Sequence, residues 1–173
     1  TFVDVTGSVS RNPLDLLYDR EQDQVGSTLN IIGGINYKLP VEGLSLDIQY
    51  AVNYYNNSNL SLQGQRVSNN NPSASRNTSE QLTLQSTNAL NYQRTFNELH
   101  TFSAVAVLET QDFTNNGFFG NASNIRFPNQ LGYHNIGPNG AAAVGADFQK
   151  WTLLSLLGRV NYSFMDKYLL TAA

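Results

Sequence analysis

Between Leu44 and Tyr55 the chain alternates without interruption: Leu44, Leu46, Ile48, Tyr50, Val52 and Tyr54 hold one parity, and Ser45, Asp47, Gln49, Ala51, Asn53 and Tyr55 the other. Successive side chains of a strand point to opposite faces, whereas a helix would gather residues three and four apart, so this stretch is a β-strand with one apolar and one polar face. The pattern recurs. Thr28 to Tyr37 sets Leu29, Ile31, Gly33, Ile35 and Tyr37 against Thr28, Asn30, Ile32, Gly34 and Asn36. Gln81 to Tyr92 sets Leu82, Leu84, Leu90 and Tyr92 against Gln81, Thr83, Gln85, Thr87, Ala89 and Asn91, with Ser86 and Asn88 interrupting the apolar side. From Trp151 to Phe164, Leu154, Leu156, Gly158, Val160, Tyr162 and Phe164 face one way and Ser155, Arg159, Asn161 and Ser163 the other. From Leu99 to Gln111 both parities are largely apolar, which leaves the faces of that strand unassigned.

Strands of this length are about twice the usual 5 or 6 residues and match the roughly 9–11 needed to cross a bilayer at a tilt. The connections add a second rhythm. Lys38–Gly43, Gln93–Glu98 and Met165–Lys167 are short, while residues 57–79 and 112–150 are long and polar. Such sorting of short and long connections belongs to an up-and-down barrel with tight periplasmic turns and long extracellular loops. The expected fold is therefore all-β, an antiparallel up-and-down transmembrane β-barrel segment of about six long strands. Its parts are a loop over 1–27, a hairpin over 28–56, an extracellular loop over 57–79, a hairpin over 80–111, an extracellular loop over 112–150 and a hairpin over 151–173. That last hairpin breaks off within its second strand, so an internal slice of a larger barrel is expected. No stretch reads as a helix. Pro13 to Tyr18 is expected to be loop with at most one helical turn, and no run of about 18 apolar residues offers a transmembrane helix.

Composition excludes other classes. The 173 residues carry 10 basic and 13 acidic side chains with no basic run, so nothing is present to neutralise a nucleic-acid backbone. Charged residues make up 13%, against about 25% in an ordinary soluble domain, and Asn, Gln, Ser and Thr supply the polarity instead. Cys is absent, which removes disulfides and thiolate metal sites. His100 and His134 have no carboxylate at metal-ligand spacing and no Ser in a nucleophile elbow, and read as hydrogen-bonding turn or loop residues. Glu109 and Asp112 read as a solvated rim. No catalytic residue, cofactor or metal is expected, and the chain is not expected to be an enzyme. Asn-x-Ser/Thr triplets at Asn56, Asn59, Asn77, Asn121 and Asn161 are chance products of an Asn-rich chain.

Aromatic residues give the candidate sites. Tyr37, Tyr92, Tyr162, Phe164 and Tyr168 fall beside the short turns, where an interfacial belt of amphipathic rings would sit; aromatics favour strands in any sheet, and it is their gathering at one end that points to a belt. In 112–150, Phe113, Phe118, Phe119, Phe127 and Tyr133 are interleaved with Asn115, Asn116, Asn121, Asn124, Asn129 and Asn135. Rings and amides suit sugar stacking, the interface of a protein lid, or a small self-packed core under the loop, and the sequence leaves all three open. Trp151 reads equally as an interfacial anchor or a ligand platform. Arg159 and Asn161 are expected to face the lumen, because a cation on the lipid side would cost about 2–4 kcal/mol at the midplane.

The order of several motifs resembles a family. Asn12-Pro13-Leu14 with Leu16-Leu17, Gly43-Leu44-Ser45-Leu46, Asn97-Glu98-Leu99-His100, Phe127-Pro128-Asn129, and Gly158-Arg159-Val160-Asn161-Tyr162-Ser163 followed by Asp166-Lys167-Tyr168-Leu169-Leu170-Thr171 resemble the barrel of SusC-like TonB-dependent outer-membrane transporters. The resemblance runs nearly the whole chain, and the last motif is the most specific. It implies a slice of a barrel of about 22 strands around a plug, in the bacterial outer membrane. It also implies uptake of oligosaccharides or other bulky nutrients such as peptides. A TonB system would drive that uptake through parts of the protein outside this segment, and a SusD-like surface lipoprotein would serve as lid. The partners implied are thus the lipoprotein, the TonB system, the nutrient and the lipid bilayer. Two other classes fit the strand pattern: a passive porin, and a soluble secreted all-β carbohydrate-binding or adhesin module whose apolar parities would pack a core.

Overall fold

The computed structural model describes residues 13–126, 128–134, 136 and 141–173. Its six strands run antiparallel, up and down, in one sheet whose order is that of the chain. They are β1 (Arg20–Lys38), β2 (Leu44–Gln63), β3 (Ser73–Phe96), β4 (His100–Ser123), β5 (Ala141–Phe164) and β6 (Tyr168–Ala172). β1 follows a short helix, α1 (Pro13–Tyr18), and between β4 and β5 lie α2 (Pro128–Leu131) and a 3-10 turn (Gly132–His134). The expected absence of helix is corrected by these pieces. Pro13 starts α1 where a missing N–H is harmless, and the Asp19 N–H makes the last helical bond, to the Asp15 carbonyl 2.9 Å away.

The strands are longer, and the loops shorter, than the alternation predicts. Residues 20–27 belong to β1, 57–63 to β2, 73–79 to β3, 112–123 to β4 and 141–150 to β5, leaving connections of 64–72 and 124–140. Alternating hydropathy marks a strand only where its two faces meet different surroundings. In residues 73–79, SASRNTS, nearly every side chain is small or polar on both parities. The ladder continues there because it is made by the backbone, and hydroxyl and amide pairs reinforce it: Ser61 with Ser75 at 2.8 Å, and Ser79 donating to Asn115 Oδ1 at 2.9 Å.

Contacts divide the chain into two units. The first comprises the stretch up to Ser27 together with Tyr55–Glu80 and Asn115–Phe148. It holds a small core of Leu62, Ala74, Ala122 and Ile125, with Tyr133 and Ile136 packed against it. Asp19 is buried beside the 64–72 connection, where its Oδ2 accepts from the Arg66 and Val67 N–H groups at 2.5 and 3.0 Å and its carbonyl accepts from Gly64 at 2.7 Å. A Cβ at position 64 would overlap the Asp19 carboxylate, so any larger residue there would push that carboxylate off its backbone partners.

The second unit comprises Thr28–Tyr54, Gln81–Thr114 and Gln149–Ala173. Among the described residues, no apolar side chain of this unit is buried. Leu154 and Leu156 remain 67% and 78% exposed. No protein interior encloses the apolar parities, which is what the soluble-module reading would require. The turns of this unit are tied sideways. Gln93 N–H donates to the Gly43 carbonyl at 2.8 Å, and Met165 N–H to the Leu99 carbonyl at 2.8 Å.

Candidate functional site

In the second unit, side-chain hydrogen bonds mark one face of the sheet as polar from β1 to β6. Asp47 on β2 is a hub: Oδ1 accepts from Asn36 on β1, and Oδ2 accepts from Asn91 on β3 at 2.6 Å. Thr95 on β3 pairs with Thr101 on β4 at 3.3 Å. Asn161 on β5 donates to Ser103 on β4 at 3.3 Å and accepts from Thr171 on β6 at 3.0 Å. Every neighbouring pair of strands is bridged at least once. Amides suit this row because each both donates and accepts, so a member left open by its neighbour still has a group to offer a ligand.

The other face carries the apolar parities and the rings near the turns. His100 Nδ1 lies 2.7 Å from the Tyr162 hydroxyl, its ring is 4.9 Å from that of Phe164, and Phe164 is 6.4 Å from Tyr168. Tyr92 pairs with Phe102 at 6.0 Å. Four of the five residues expected to form a belt therefore take part in ring pairs, and the fifth, Tyr37, is exposed at the turn end of β1. His100, expected to be a hydrogen-bonding turn residue, opens β4 and is bonded within this group.

Arg159 lies two residues from Asn161 on β5 and shares its face. It takes part in no salt bridge among the described residues. The loop candidates fare differently. Phe118 and Phe119 are consecutive residues of β4 and so project to opposite faces, 50% and 44% exposed, which prevents them from forming one aromatic surface. Asn121 is on the Phe119 side. Tyr133 packs on the small core of the first unit and donates its hydroxyl to Asp23. That bond, partial desolvation and the negative charges of Asp23 and Glu21 push its phenol above the ordinary tyrosine range. Phe127 and Asn135 lie outside the described residues. Among the described residues no group of three His, Cys, Asp or Glu side chains is arranged to hold a metal.

One aromatic pair has no counterpart in the hydropathy pattern. Phe113 on β4 and Trp151 on β5 stack with ring centroids 5.1 Å apart and planes inclined by 18°. Residues 112 onward were expected to be loop, so the pairing had no strand to sit on. The signal lies in the antiparallel offset: Ser103 with Asn161, Asp112 with Thr152 and Phe113 with Trp151 all obey one offset, so no bulge breaks the parity between them. The stacked pair therefore stands on the polar face, and Asp112 with Thr152, bonded at 2.5 Å, on the other.

No family model and no curated protein matches the sequence. Solved structures do share its fold. The chain is similar to the RagAB peptide transporter, with a TM-score of 0.78 and 18% identity over 90% of this chain and 17% of that one. The RagAB peptide importer in its closed-closed state gives 0.78 with 17% identity over 88% of this chain and 17% of that one, and in its open-open state 0.77 with 18% over 90% and 17%. The shared fold is a segment of antiparallel, up-and-down β-barrel. The chain spans about a sixth of the length of the chains it matches, each covered to 17%. In a segment of such a barrel, two unlike faces are what the sheet must offer, one toward hydrocarbon and one toward the lumen. Among the described residues β1 and β6 are the outer strands of the sheet, and in a membrane the outer edge of a sheet has to be paired.

Proposed function

We propose that this chain is part of a TonB-dependent transporter of the bacterial outer membrane that imports bulky nutrients, oligosaccharides or peptides, together with a SusD-like surface lipoprotein. The observation that supports it best is the two-faced sheet: a continuous polar row on one side, exposed leucines and a ring cluster on the other. A bilayer is the surrounding that stabilises such an apolar face, and a wet lumen is the surrounding that stabilises such a row. Arg159 and Asn161 then face the lumen. Tyr37, Tyr92, Tyr162, Phe164 and Tyr168 anchor the periplasmic interface, and Phe118, Phe119, Phe127, Tyr133, Asn121 and Asn135 are the candidates for contact with cargo or lipoprotein. The related folds belong to a peptide importer, which favours transport over catalysis and keeps peptides among the cargoes.

The test is uptake by the complete protein in outer-membrane vesicles or cells, with labelled oligosaccharides and peptides, in the presence and absence of the coupling protein. Uptake that stops when coupling is removed supports the proposal. Uptake that persists unchanged makes the protein a passive pore.

A further inference from the structure

The polar face of the second unit holds a groove of about 440 Å³ whose lining includes Asn30 and Ile32 of β1, Ala51 and Asn53 of β2, Thr83 and Gln85 of β3, and Gln111 of β4. None of these residues is charged. Gln111 is two residues from Phe113 on β4, hence on its face, so the amide-lined groove adjoins the Phe113–Trp151 stack. Trp151 keeps 39% of its surface exposed. From this juxtaposition we infer that Phe113, Trp151 and Gln111, with Asn30, Asn53, Thr83 and Gln85, form a binding station on the lumenal wall for an uncharged, hydroxyl-rich ligand with a flat C–H face, a pyranose ring of a neutral oligosaccharide. The inference rests on the transporter reading above.

The chemistry is specific to that class in three ways. An indole presents a flat apolar surface whose negative face attracts the polarised C–H groups of a sugar ring. Asn and Gln both donate and accept, and so match hydroxyls, which do the same, without requiring a particular orientation. The groove lining carries no charge, and Glu109, two residues from Gln111 on the same face of β4, would repel the carboxylates of a peptide. Backbone groups cannot substitute, since those of the strands are spent in the ladder.

The experiment uses the complete transporter, purified in detergent, with calorimetric titration of a neutral gluco-oligosaccharide series and, in parallel, of neutral and charged peptides of similar size. Trp151→Ala and Phe113→Ala should each weaken oligosaccharide binding by about tenfold, Gln111→Ala by less, and Trp151→Phe should restore most of the loss. Leu154→Ala, on the opposite face of β5, serves as a control and should leave binding unchanged. Oligosaccharide binding that is absent from the unmodified protein, or untouched in both aromatic variants, overturns the station. A loss confined to peptides overturns the ligand class. Energised uptake is scored in the same variants: if uptake is coupled but insensitive to these substitutions, only the station fails, whereas uncoupled uptake in the unmodified protein defeats the transporter reading itself.

Discussion

At the scale of single residues, the tight turns show where the chain stores strain and where it avoids it. Gly43 sits at φ +82°, and a Cβ there would overlap the Gln93 carbonyl that its own turn approaches. Gly43→Ala should therefore cost at least about 1 kcal/mol from the backbone alone and more from the overlap, read as a lowered urea midpoint. Glu98 is also left-handed, at φ +59°, without glycine's freedom and with no tertiary role for its side chain in any hydrogen bond or ion pair described above. Glu98→Gly should raise stability by up to about 1 kcal/mol, and an unchanged midpoint would show that the turn is not strained. Tyr133 makes a pH prediction. Its phenol is raised because the neutral form donates to Asp23, so the stabilisation is complete below the ordinary tyrosine value near pH 10 and is lost as pH climbs through the higher folded value, where a phenolate would face Asp23 and Glu21. The difference in tyrosinate absorbance between the native protein and Tyr133→Phe should rise above pH 10, with proteolysis of the 124–140 connection increasing in the same window. A midpoint at or below pH 10 would remove the Asp23 bond from the account.

At the scale of elements, the polar halves of β3 and β4 are the informative case. Ser73–Glu80 and Asn115–Ser123 look like loop in hydropathy yet lie in strands whose backbone bonds are shared with neighbours. Their amides should exchange hydrogen slowly, within about tenfold of the amides around Leu84 and Val107, whereas loop amides would exchange orders of magnitude faster. Loop-like exchange throughout 115–123 would restore the longer loop predicted from the sequence. The same contrast explains what could be read beforehand. β1, β2 and β5 were legible where Leu29, Leu46 or Leu156 alternates with Asn30, Asp47 or Ser155, because there the two faces demand different chemistry. The extensions were not legible, since SASRNTS satisfies a strand with water on both sides as well as it satisfies a loop. Phe113 falls in the same loop-like stretch, and its pairing with Trp151, in the middle of β5, becomes visible only once an offset links the strands. α2 was hidden because four residues carry no period, and the Asp19 cap because it joins positions nearly fifty residues apart.

At the scale of the whole molecule, everything turns on which solvent each face meets, and β5 allows that to be tested with one side chain on each side. Leu156 and Leu157 are neighbours, chemically identical and both well exposed, at 78% and 63%; they differ only in parity. Leu156 shares the face of Val160 and Tyr162, and Leu157 that of Arg159 and Asn161. Were both faces of this sheet in water, arginine at either site would be tolerated about equally, since both side chains are exposed. In a bilayer, Leu156→Arg places a cation in hydrocarbon at a cost of about 2–4 kcal/mol, while Leu157→Arg places it in the wet lumen beside a cation already there, and loses only a few tenths to like-charge repulsion. Folding of the complete barrel into lipid vesicles, followed by the gel shift between folded and unfolded forms, should therefore show Leu156→Arg folding with a midpoint markedly shifted and Leu157→Arg close to the native protein. The reverse order would mean that the polar row faces lipid. Equal behaviour would mean that no bilayer touches this sheet, and the transporter reading would go with it.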